Sequence, residues 1–215
     1  MKYIDKKIVT IPPSFSKHLL QPKHTYENYS EKDDLRTSLW EAQGAICCYC
    51  MRRIAAPIAQ KMVIEHFKPQ SLYPELQFDY NNLLASCQGN EGLIEAFQHC
   101  DERKKSHEIL INPLNETMMQ KIRFTPNGEI YTEDEILNKN IDNVLNLNLQ
   151  QLKNERKAIL AGLEHKIQKK FKGKKVTKSF IHELLKEWSV RNENQLRPMC
   201  QVAIYYLEKK MKQAV

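Results

Sequence analysis

No run of about 18 apolar residues occurs along the chain, so no membrane-spanning helix is expected. The opening stretch MKYIDKKIVTIPPSF lacks the apolar centre of a secretory signal, which points to an intracellular, cytoplasmic protein. No internal repeat is seen. In a reducing compartment thiols stay reduced, so clustered cysteines point to metal binding and not to disulfides. What is present is 41% hydrophobic and 27% charged residues in 215, the balance of a soluble globular chain with a real core. That length suits one ordinary domain with an appendage, or two small ones.

The net charge of +7 is unevenly spread. Residues 151–215 carry 16 Lys/Arg against 6 Asp/Glu, whereas residues 1–150 carry 17 against 20. The positive charge is densest at Lys169–Lys175. Such a face suits a phosphate backbone, and it is also what a solvated helical surface looks like.

Three regions are expected: an N-terminal segment with one helix (1–44), a compact irregular module (45–110), and a hairpin followed by basic helices (111–215). Pro12, Pro13 and Pro22 interrupt any pattern in residues 1–30. Residues 31–43 read as a helix capped by Ser30 and stopped by Gly44. Asn127-Gly128 within Lys121–Thr132 is a hairpin turn signal. Leu152, Ile159, Leu160, Leu163 and Ile167 fall at helical spacing. So do Phe180, Ile181, Leu184, Leu185 and Trp188, with Thr177 as cap and Pro198 in the first turn of a last helix ending near Lys212.

Three of six cysteines crowd into Ala45–Arg53. Cys47 and Cys50 have the spacing of a metal knuckle, because two thiolates two residues apart can reach one tetrahedral zinc across a tight turn. Cys87 and Cys100 are the candidates for the other two ligands if residues 88–98 form an excursion that closes back. Cys48 is then the spare, and Cys200 is a core thiol. Four cysteines close the coordination shell, so the Zn²⁺ is structural and pins a module whose own core is thin.

Between and after the cysteine pairs stand Val63-Ile-Glu65-His66-Phe-Lys-Pro69, Phe78-Asp79-Tyr80-Asn81-Asn82-Leu83-Leu84 and His99-Cys100-Asp101. In that order these motifs resemble the HNH endonuclease family over residues 45–107. The longer match, through Ile109–Pro113 and the Leu145–Leu149 segment, is similar to the nuclease subunits of Septu antiphage systems, which also occur as retron effectors.

The resemblance implies an α+β, mainly helical chain with a ββα-metal HNH core. It implies a metal-dependent nuclease acting on DNA or on structured RNA such as tRNA. It further implies a PtuA-type ATPase subunit as partner and, in a retron setting, a reverse transcriptase with its multicopy DNA. His66 is the general-base candidate, since an imidazole near neutrality suits removing a proton from water. Glu65, adjacent and on the other side of the strand, offers a carboxylate to Mg²⁺ or Mn²⁺. The family places His or Asn immediately after the last zinc cysteine, where this chain has Asp101. That departure leaves open which of Glu65, Asp101, His99 and His107 complete the oxygen site. Asn82 matches the family's middle Asn, expected to brace the loop that carries His66. Arg52, Arg53, Lys68, Arg103, Lys104 and Lys105 flank the motif as candidate phosphate contacts.

Two other readings compete. A zinc-stabilised nucleic-acid-binding module without catalysis needs the cysteines and the basic end but neither Glu65 nor His66. A thiol redox protein fits poorly, because no βαβ pattern surrounds Cys47 and Cys50.

Overall fold

Helices dominate, and two short antiparallel ribbons supply the strands, which makes the chain α+β and mainly helical. The structure is a computed structural model describing residues 1–22 and 24–215.

The N-terminal prolines do not break structure as expected. Pro13 opens helix α1 (Pro13–Leu19), where its missing N–H has no helical acceptor to lose. Helix α2 (Lys32–Ala42) begins after Glu31, not at a Ser30 cap. No side chain caps it, and Asp33 and Asp34 in its first turn complement the helix dipole instead.

Residues 46–53 form a tight knuckle. Cys47 N–H donates to Arg52 O at 2.9 Å, and Met51 N–H donates back to Cys47 O at 3.1 Å. Strand β1 (Val63–His66) pairs antiparallel with β2 (Leu83–Ser86), placing Glu65 opposite Leu84 and His66 opposite Leu83. Helix α3 (Cys100–Lys104) follows β2 in the chain. The outer edge of β2 is satisfied by a buried side chain. Gln43 Nε2 donates to Ala85 O at 2.7 Å, and its Oε1 accepts from Ala85 N at 2.7 Å.

Helix α4 (Glu116–Met119) precedes the second ribbon, β3 (Arg123–Phe124) with β4 (Ile130–Tyr131). The hairpin forms where Asn127-Gly128 signals it, but its strands are shorter than residues 121–132 suggest. Gly128 has φ +80°, and an added Cβ would lie 2.2 Å from Lys153 O, so the turn requires glycine both for its conformation and for close approach. Then come α5 (Glu135–Lys139), α6 (Gln150–Phe171), α7 (Lys178–Ser189) and α8 (Cys200–Gln213). Thr177 holds the cap position of α7 without a side-chain bond. Pro198 lies outside α8, ahead of Met199 in a left-handed conformation at φ +57°.

Two apolar clusters form. The larger joins Phe15, Tyr29, Leu35 and Leu39 to the knuckle, to β1 and β2, and to Ile111, Leu145 and Leu147. Residues 45–110 therefore share a core with both flanking segments. The second cluster packs α6, α7 and α8 through Leu163, Ile181, Leu184 and Leu207. Buried Arg156 on α6 donates to Gly128 O at 2.5 Å and to Leu147 O at 2.6 Å, fastening hairpin and helix together. Among the described residues no helix is long and apolar enough to cross a membrane.

Candidate active site and metal centre

The Sγ atoms of Cys47, Cys50, Cys87 and Cys100 all lie within 4.8 Å of one another. Cys47 and Cys100 sulfurs are 3.8 Å apart, and Cys50 and Cys87 sulfurs 3.7 Å. A tetrahedron with Zn–S bonds of about 2.3 Å has edges of about 3.8 Å, so the four donors fit a metal such as zinc. Burial pushes the Cys50 and Cys100 thiols up, and a bound cation would offset that cost. The 88–98 excursion closes at its base, where His99 N–H donates to Gly89 O at 2.9 Å. A Cβ on Gly89, at φ +56°, would sit 2.0 Å from His99 O. Cys48 stays outside the cluster, and Cys200 is buried at the start of α8.

Fully buried His99 faces this centre, not the carboxylates. Its Nε2 lies 3.3 Å from Arg52 Nη1. Guanidinium can only donate, so Nε2 accepts and Nδ1 carries the proton. That proton points at Cys100 Sγ, 3.1 Å away. Arg52 in turn donates through Nε to Glu155 on α6 at 2.8 Å. A chain of polar contacts thus runs from the sulfur cluster into the basic helical region.

Glu65 and His66 point to opposite faces of β1. Glu65 is 2% exposed, and its Oε1 accepts from Tyr49 Oη at 2.7 Å and Lys104 Nζ at 2.8 Å. Asp101 stands beside it. Burial, then the Glu65 carboxylate, pushes the Asp101 pKa up to about 9. His66 is half-buried, packed edge-on against Tyr26 with ring centres 4.7 Å apart. Its Nε2 lies 3.3 Å from Gln77 O. A carbonyl only accepts, so Nε2 carries the hydrogen and the Nδ1 lone pair is left as the basic site. Burial pulls the His66 pKa below its ordinary value, which keeps the ring neutral at pH 7. Among the described residues, only the four cysteines gather three or more His, Cys, Asp or Glu ligand atoms. At the carboxylates, Tyr49 and Lys104 take up one Glu65 oxygen.

Asn82 spans the loop after β1. Its Oδ1 accepts from Lys68 N at 2.7 Å, and its Nδ2 donates to Lys68 O at 3.0 Å and Leu76 O at 3.2 Å.

Three expected phosphate contacts turn inward. Lys104 is wholly buried on Glu65, Arg52 is engaged by Glu155 and His99, and Arg53 donates to the carbonyls of Gly44, Ala45 and Leu196. Each caps polar atoms that burial would otherwise leave unsatisfied. Lys68 pairs with Glu108 and Arg103 with Glu95, both at the surface, and Lys105 is exposed. Exposed His107 donates to Lys104 O at 2.9 Å, away from the sulfurs. Sequence reasoning missed Tyr49, Tyr26, Gln77 and the inward role of Lys104. Two signals were available. A tyrosine inside a buried knuckle needs a partner for its hydroxyl, and Asp101 and Lys104 at i, i+3 share a helix face.

In sequence the chain is similar to two proteins of antiphage systems, one of them named for an HNH endonuclease. No protein-family model matches the chain. It is 29% identical over 164 residues to a Vibrio cholerae chain named as a retron Vc95 HNH endonuclease, covering 71% of this chain and 73% of that relative. It also resembles the Septu protein PtuB of Bacillus thuringiensis, at 30% identity over 96 residues. That match covers 43% of this chain and spans about a third of PtuB, 33% of its length.

Proposed function

We propose that this chain is a metal-dependent HNH endonuclease that hydrolyses nucleic-acid phosphodiesters as the effector of an antiphage complex. The observation that carries the reading is the His66 ring. Its Nε2–H is committed to Gln77 O, which leaves Nδ1 as the basic nitrogen of a neutral ring. His66 Nδ1 takes the proton from the attacking water, and Asn82 holds the loop that follows His66. Glu65 and Asp101 are the oxygen donors for Mg²⁺ or Mn²⁺, which would neutralise charge developing on the phosphate. Zn²⁺ on Cys47, Cys50, Cys87 and Cys100 is structural, since four thiolates leave no open position.

In this reading residues 45–110 are the nuclease unit. Lys68, Arg103 and Lys105 remain the phosphate contacts available around it. The hairpin and basic helices of residues 111–215 guide nucleic acid or dock a PtuA-type ATPase subunit. Likeness to the retron Vc95 relative supports a reverse transcriptase with multicopy DNA in the same complex. The absence, among the described residues, of a third ligand atom beside the two carboxylates favours the second reading, a zinc-stabilised binding module.

One assay separates them. The chain, alone and with its ATPase, is incubated with plasmid DNA and with tRNA in Mg²⁺ or Mn²⁺, beside His66→Ala. Cleavage that vanishes in the variant supports the nuclease. Binding without cleavage in both gives the binding module.

A further inference from the structure

We propose that Lys104 is a positioning residue, an internal cation that fixes the Glu65 carboxylate for the divalent ion; this rests on the nuclease reading above. The motif assigns no such role, and the flanking lysines looked like surface charge.

Burying an ammonium costs several kcal/mol, so a wholly buried lysine persists only where a counter-charge and acceptors meet it. Lys104 is 0% exposed. Its Nζ reaches Glu65 Oε1 at 2.8 Å and His66 O at 3.0 Å, two consecutive residues of β1. One amine thereby fixes both the side chain that precedes the general base and the peptide of the base itself. Tyr49, from the cysteine knuckle, donates to the same Oε1 at 2.7 Å. The carboxylate is held from two directions, by α3 and by the metal-binding turn. Both contacts converge on Oε1 of the carboxylate. Asp101 lies one helical turn before Lys104 on α3, so the helix that supplies the second oxygen donor also supplies the clamp on the first. Removing a lysine that only pairs a buried acid costs stability, whereas removing one that orients a metal ligand also costs about 10–100-fold in metal affinity or rate.

The test compares full-length wild type, Lys104→Met and Tyr49→Phe. Three readouts are taken: zinc content, Mn²⁺ binding by electron paramagnetic resonance, and steady-state cleavage. Lys104→Met is expected to keep its zinc and its KM for nucleic acid, while kcat falls about 100-fold and Mn²⁺ affinity about 10-fold. Tyr49→Phe removes only a hydroxyl, keeps the fold if Lys104→Met does not, and should show a smaller loss of both kcat and Mn²⁺ affinity. Variants that cut and bind Mn²⁺ like wild type overturn the proposal. So does tighter Mn²⁺ binding by Lys104→Met, which would make the amine a competitor for the ion. If wild type never cuts but binds Mn²⁺ more tightly than both variants, the nuclease reading fails and the positioning role stands.

Discussion

His99 donates its Nδ1–H to the sulfur of its sequence neighbour Cys100 at 3.1 Å, while its other ring nitrogen accepts from Arg52. A hydrogen bond to a thiolate stabilises the charged form that a metal needs. His99→Ala should therefore weaken zinc affinity about 10-fold in competition with a chromogenic chelator, with cleavage unchanged when zinc is saturating. Unchanged zinc affinity would remove His99 from the support of the metal centre.

Each chain is expected to carry about one zinc by elemental analysis. Cys100→Ser should lose it, because Cys100 supplies one of the four sulfurs. A loss of about 3 kcal/mol lowers the melting temperature by roughly 10 °C in a chain this long. A zinc-loaded, fully stable Cys100→Ser protein would contradict the four-sulfur assignment.

The pH dependence of cleavage should follow the neutral His66 ring. Its pKa is depressed in the fold, so the base is already unprotonated at pH 7. The rate should rise with pH to a plateau whose midpoint lies below the ordinary histidine value. His66→Ala should lower kcat by about 10²–10⁴ with zinc content intact. An acid limb well above that value would assign the base to another group.

Asp101 gives a stability signature of opposite form. Its pKa rises from the ordinary 3.8 to about 9 on folding. The folded state therefore holds a proton that the unfolded state releases, and stability should decline as pH rises between those values. Asp101→Asn should remove that decline and raise the melting temperature at pH 8 in the absence of divalent ions. Parallel melting curves for the two proteins from about pH 5 to 8.5 would contradict the raised Asp101 pKa.

Arg156 tests how the hairpin is held. Its planar fork reaches Gly128 O and Leu147 O at once, which a lysine amine cannot reproduce. Arg156→Lys should cost about 2–4 kcal/mol in denaturant unfolding, from two buried carbonyls left poorly paired. A change under about 0.5 kcal/mol would show that those carbonyls find other donors.

Much of the site was legible before any coordinates. Cysteine spacing gave the four sulfurs, because tetrahedral chelation constrains which thiols can meet. The excursion after Cys87 could be anticipated for the same reason. Helical stripes in residues 150–213 could be read because apolar periodicity is a local property. The N-terminal prolines were misread because a proline can open a helix as well as break one, and the choice lay in the packing of Phe15 against Tyr29 and Phe78.

Sequence alone determined which residue types are available: four cysteine sulfurs that can hold a metal, two carboxyl groups and an imidazole. Tertiary structure decided which charges face water. Lys68 and Lys104 look alike on the page, yet one lies near the surface on Glu108 and the other is sealed against Glu65. That difference comes from α3 packing onto β1, a contact between residues nearly forty positions apart. A charge is kept in a buried place only by partners that the fold brings to it.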